Sequence, residues 1–72
     1  MPPTATLRLN PEALRRQRLL RALTQEDLSA LSGIQSSTIC RLETGTRMAR
    51  LSTIRALAGA LEVNPAQIAD LT

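Results

Sequence analysis

Apolar and polar positions alternate along this chain with helical rather than strand-like spacing. The clearest set is Leu51, Ile54, Leu57, Ala58 and Leu61. Steps of three and four residues put all five on one side of a helix that turns about 100° per residue, which predicts a helix over 51–61. Upstream, Leu28, Ile34, Ile39 and Leu42 form two shorter groups divided by Gly33. Thr24-Gln25-Glu26-Asp27 reads as a helix start, with Thr24 as the cap and Asp27 as the answering acid of a capping box. Glu26 and Asp27 also suit the positive end of a helix dipole. That helix should end by Ser32, because Gly33 is the usual residue for a left-handed turn. A third helix follows from Gln35 or Ser36 to about Thr44, closed by Gly45.

The first and last elements are set by paired signals. Asn10-Pro11 is an Asn cap followed by Pro at the first helical position, and predicts helix 1 from Pro11 to about Ala22. Its stripe is imperfect: Arg18 falls beside Leu14, while Leu19 falls nearly opposite. The pattern therefore draws Arg18 inward and leaves Leu19 outward. Asn64-Pro65-Ala66-Gln67 repeats the Asn-Pro start and predicts a short helix 5 that buries Ile68 and Leu71. Residues 1–9 read as a flexible N-terminal arm, with Leu7 and Leu9 anchoring its end, and Arg47–Arg50 reads as a short loop. The expected architecture is one all-α, five-helix domain over residues 10–72.

Helices 2 and 3 are joined by about three residues containing a glycine, the connection of a helix-turn-helix. Ser29 is small enough for the crossing point, and Gly33 tolerates positive φ in the turn. With Ile39 and Leu42 turned inward, helix 3 is left with Ser36, Ser37, Cys40, Arg41 and Thr44 on its outer side. An ordinary solvated face carries Glu and Lys, but this one has no acid. Short polar groups of this kind do not hinder a helix from lying in a DNA major groove about 12 Å wide.

Composition narrows the chemistry. The 72 residues include no histidine, no aromatic residue and one cysteine, Cys40. Zinc ligation and an internal disulfide are thereby excluded, and no cofactor is expected. There are no paired carboxylates in a plausible pocket and no glycine-rich phosphate loop, so an enzyme is not expected. Net charge is +3 with every basic residue an arginine. Arginine's fork suits phosphate and base edges, although that much charge permits nucleic acid without requiring it. No apolar run is long enough to span a bilayer, and the first residues lack a signal-peptide core, so the expected location is cytoplasmic.

The string 23-LTQEDLSALSGIQSSTICRLETG-45, continued by 51-LSTIRALAGALEVNP-65, resembles the Cro and phage-repressor type of helix-turn-helix, the xenobiotic-response-element family. The resemblance runs over residues 14–71 and implies a compact lambda-repressor-like domain whose third helix reads DNA. Ser29 replaces the family's usual alanine, and Ala49 stands where a proline often precedes helix 4. By resemblance, Gln35, Ser36, Ser37 and Arg41 occupy base-reading positions, and Gln25, Thr44, Thr46 and Arg47 phosphate-contacting ones. Arg18 and Glu43 match a structural ion pair between helices 1 and 3. The implied function is a sequence-specific transcriptional regulator, most simply a repressor, with double-stranded DNA as its partner.

Plainer readings stand beside these. Arg41 is otherwise a surface arginine, and Ser36 and Ser37 favourable first-turn residues. Cys40 is otherwise a small residue without redox meaning. A homodimer, formed weakly in solution or only on DNA, would use Leu19 and the small face of helix 4 (Ser52, Ala56, Gly59, Ala60). Two rival functions share the fold: an antitoxin-type or accessory regulator that also binds a protein partner, and a protein-interaction module that has lost DNA.

Overall fold

The computed structural model describes residues 6–45 and 48–70. In chain order the elements are β1 (Thr6–Leu9), α1 (Pro11–Leu20), α2 (Gln25–Ser32), α3 (Ser36–Thr44), β2 (Met48–Arg50), α4 (Leu51–Leu61) and β3 (Ala69–Asp70). A 3₁₀ turn at Pro65–Gln67 precedes β3.

The helix starts follow their caps. Asn10 Oδ1 accepts from the Ala13 N–H at 3.1 Å, with Pro11 opening α1. At α2 the capping box is reciprocal: Asp27 N–H donates to Thr24 Oγ1 and Thr24 N–H to Asp27 Oδ2, both at 2.9 Å. Gly33 ends α2 at φ +76°. Helix α1 stops at Leu20, short of the expected Ala22. There the chain folds back, with Ala22 N–H donating to the Leu19 carbonyl and Leu23 N–H to the Arg18 carbonyl. This nested pair of bonds requires a left-handed residue, here Ala22 at φ +54°. Helix α4 ends the same way, with Glu62 at φ +58° and Val63 N–H donating to the Ala58 carbonyl.

The expected all-α domain is mostly helical as anticipated, but the five helices are corrected: the described residues form four α-helices and a small antiparallel sheet of order β2-β1-β3. Residues 6–9 of the expected arm form its central strand. Leu7 lies opposite Ala49 and Leu9 opposite Ala69. Leu9, Ala49 and Ala69 are buried, while Arg8, Met48, Arg50 and Asp70 face outward, the period-two alternation of a half-buried strand. The expected loop before α4 is thus β2. The expected helix 5 is a single 3₁₀ turn. Asn64 caps it, accepting from Ala66 N–H at 3.0 Å, but the Ile68 N–H then bonds the Pro65 carbonyl. The Ile68 carbonyl goes to Asn10 N–H at 2.9 Å, and the next residues pair with β1 instead of continuing the helix. Ile68 is buried; Leu71 lies outside the described residues.

The core is aliphatic. Leu9, Leu14, Leu28, Ile39, Ile54, Leu57, Leu61 and Ile68 are all essentially inaccessible. Every α-helix and the sheet contribute to it, and α2 and α3 are fixed against each other and against α4 and α1. Leu7, Leu23, Ile34, Ala60 and Val63 pack around its rim.

Candidate nucleic-acid interface

Helix α3 is divided lengthwise. Ile39 and Leu42 are buried, whereas Ser37, Cys40, Arg41 and Thr44 are exposed. Those four recur at steps of three, one and three, so they form a single outward stripe. Gln35, the exposed residue before the helix, makes no side-chain capping bond, and Ser36 is half-buried. Gly33 N–H donates to the Ser29 carbonyl and Ile34 N–H to Ser32 Oγ, which fixes the turn between α2 and α3. Thr44 donates its hydroxyl to the Cys40 carbonyl at 2.8 Å, leaving its oxygen able to accept. Thr46 and Arg47 lie outside the described residues.

Beneath this stripe sits a polar node. Arg18 is 8 % exposed. Its Nε donates to Glu43 Oε2 at 2.8 Å and its Nη2 to Glu43 Oε1 at 2.9 Å, a two-pronged pair. Its Nη1 donates to the Leu23 carbonyl at 2.7 Å. The hydrogen bond to Glu43 raises the guanidinium pKa, against the opposing effect of desolvation. Gln25, at the start of α2, donates from Nε2 to Glu43 Oε1 at 3.3 Å. One carboxylate of α3 thus binds side chains of α1 and α2, and its arginine also grips the turn between them. The share taken by Gln25 and by the Leu23 carbonyl had no signal in the sequence, since both contacts depend on how the helices cross.

Electrostatically, the outward stripe carries Arg41 with no acid, because the side chain of Glu43 is 2 % exposed and held by Arg18. Arg8, Arg15, Arg16, Arg21, Arg50 and Arg55 are also exposed. Leu19 is exposed, and on α4 Ser52 and Gly59 are exposed while Ala56 and Ala60 are half-buried. Leu20, Leu31 and Met48 are large exposed apolar residues that the sequence pattern did not single out. Among the described residues there is no cluster fit to hold a metal ion, and no helix long and apolar enough to cross a membrane.

Two helices joined through a left-handed glycine, the second buried on one side and polar on the other, define a helix-turn-helix domain. A family model described as helix-turn-helix matches residues 14–68, and the chain belongs to that family, the Cro/C1 type of DNA-binding transcription regulators. Among solved structures it is similar to the restriction-modification controller protein C.AhdI from Aeromonas hydrophila. That match has 37 % identity and a TM-score of 0.75 over 79 % of this chain and 86 % of that one. It is also similar to a mutant of hydroxyethylphosphonate dioxygenase, with 28 % identity and a TM-score of 0.75 over 92 % of this chain. There the match spans only 14 % of the enzyme's length, so the likeness is to one part of a much longer chain. No curated protein sequence matches.

Proposed function

We propose that this protein is a sequence-specific regulator, acting as a repressor, that lays α3 in the major groove of double-stranded DNA. The observation that carries the reading is the division of α3: Ile39 and Leu42 hold it to the core while Ser37 and Arg41 stand clear of the body. A groove about 12 Å wide admits such a helix. Gln35, Ser36, Ser37 and Arg41 are the base-reading residues of this proposal. Arg41 has the fork to grip the two acceptors of a guanine edge, and the serines, which both donate and accept, add contacts with little base preference. Gln25 and Thr44, with Thr46 and Arg47 in the segment after α3, take phosphate oxygens and set the register.

Repression needs no further surface, because a helix seated in a promoter's groove excludes other proteins from it. The likeness to a restriction-modification controller supports a regulator with no catalytic role. Two copies would read half-sites about 34 Å apart, meeting through Leu19 and the small residues of α4.

Selection of bound sequences from random duplex DNA tests the proposal. A two-fold symmetric site is expected, with affinity falling with salt at a slope of about −0.9 per phosphate neutralised. Arg41→Ala should lose about 1–3 kcal/mol on that site and relax one base position. If no sequence is enriched, or if Arg41→Ala binds the enriched site as tightly as wild type, α3 is not the reader.

A further inference from the structure

We infer that Glu43 is a positioning residue for DNA binding: it orients the Gln25 side-chain amide so that the amide meets a phosphate as a donor. The inference rests on the reading of Gln25 as a phosphate contact given above.

The chemistry follows from which groups can donate. An ionised carboxylate only accepts hydrogen bonds, so a neighbouring amide must turn its NH2, not its oxygen, toward it. Gln25 does so, Nε2 to Glu43 Oε1 at 3.3 Å. One N–H is engaged and the other remains. A phosphate oxygen is likewise only an acceptor. An amide free to rotate would present its carbonyl oxygen to phosphate in one of its two flipped states, and that state is repulsive. Glu43 removes it before DNA arrives, which is preorganisation.

Glu43 can serve in this way because it is itself held. Both of its oxygens accept from Arg18, whose remaining bond to the Leu23 carbonyl fixes the guanidinium to the turn after α1. The carboxylate is shielded by protein and paired with a cation, so it adds little repulsion toward an approaching phosphate. Gln25 opens α2 and Glu43 lies in the last turn of α3. The bond therefore also joins the two helices of the motif at the end where the phosphate contact is proposed.

The test compares Gln25→Ala in two backgrounds, wild type and the charge-neutral replacement Arg18→Met/Glu43→Leu, on a labelled duplex carrying the enriched sequence. In wild type, Gln25→Ala should weaken binding about tenfold, the effect of one hydrogen bond to a charged group. In the replaced background the same change should cost less than about twofold, since the amide there is already unoriented. The salt slope should be the same for all four proteins, because the amide is neutral and the double replacement removes one charge of each sign. Equal weakening in both backgrounds overturns the inference. No weakening in wild type, with Arg41→Ala still impaired, removes the Gln25–phosphate reading and this inference with it, but leaves α3 as the reader.

A measurement on the unaltered protein stands independently of whether the double variant folds. The side-chain amides of Gln17, Gln25, Gln35, Gln67, Asn10 and Asn64 are resolvable by NMR. In free protein one Nε2 proton of Gln25 should exchange more slowly than those of exposed Gln35, and its geminal partner should shift on adding duplex. Two Gln25 protons that both behave like those of Gln35 overturn the inference.

Discussion

Removing the Glu43 carboxylate should unfold this protein more readily than removing any outward arginine. In Glu43→Ala the Arg18 guanidinium stays in place, about nine-tenths buried, with only the Leu23 carbonyl left to it. Breaking one side of a buried pair costs about 3–5 kcal/mol, because the surviving charge is desolvated without compensation. For a domain of this size, each kcal/mol moves the melting temperature by about 4–8 °C. The low end of both ranges gives a fall of about 12 °C. Total stability expected for such a chain is itself only about 4–11 kcal/mol, so the variant should be partly unfolded at modest temperature. Arg41→Ala removes an exposed side chain with no bonded partner in the described structure, and should change stability by less than about 0.5 kcal/mol. Circular dichroism melts of the two variants beside wild type make the comparison, and Arg18→Met/Glu43→Leu adds a control. Replacing both partners with apolar groups should recover most of the loss, since no unpaired charge then remains. If Glu43→Ala and Arg41→Ala melt within a few degrees of each other, the pair contributes no more than a surface contact and the reasoning fails.

Further outcomes follow from the caps, turns and outward stripe. Asp27 is held below its ordinary value of 3.8 by bonds from the Thr24 backbone and hydroxyl. A carboxyl depressed in the folded state contributes stability above its unfolded pKa and loses it as pH falls through the folded value. Acid melts of Asp27→Asn should accordingly show a shallower loss of stability below about pH 4 than wild type; an unchanged acid limb would count against the capping box. Ala22→Gly and Glu62→Gly relieve left-handed strain and should each raise stability by up to about 1 kcal/mol, whereas Gly33→Ala introduces that strain and should lower it by about 1–2 kcal/mol, although no atom lies in the way of the added methyl. Urea titration decides, and opposite signs would mean the turns relax. Cys40 is exposed on the stripe of α3. A bulky maleimide there should abolish DNA binding while Cys40→Ser retains it, and a labelled protein that still binds would put a different face on the DNA.

The parts of the fold legible in the sequence were those written in local chemistry. The capping box at Thr24, the glycine at 33 and the even stripe of α4 are each decided within a few residues, and α2, α3 and α4 begin and end where those signals stand. The position of Arg18 was legible for the same reason, since an arginine falling beside Leu14 has to be paired or cast out. The sheet was not. Its strands are two to four residues long. Alternation of period two needs about four to eight residues to stand out. The partners of Leu7 and Leu9 lie far along the chain, at Ala49 and Ala69. Helix 5 failed through the same competition: the Asn64 cap formed, but the backbone after Ile68 bonded to β1. The end of α1 was misplaced because nothing local announces an alanine with positive φ. In the candidate site, Ser37, Cys40, Arg41 and Thr44 could be read as outward from spacing alone, whereas Ser36, expected outward with them, is half-buried, and the Gln25–Glu43 bond depends on a crossing angle no short window contains.

Placing β1 between β2 and β3 has a consequence for biosynthesis. Thr6, Leu7 and Arg8 find their β2 partners only when Met48–Arg50 has been made, and Leu9 finds its own only when Ala69 follows. Until then Leu9 lacks its cover, and the three helices made first rest on an unfinished floor. The earliest strand is the central one, so the sheet closes only once Ala69–Asp70 is available and cannot grow strand by strand in step with synthesis.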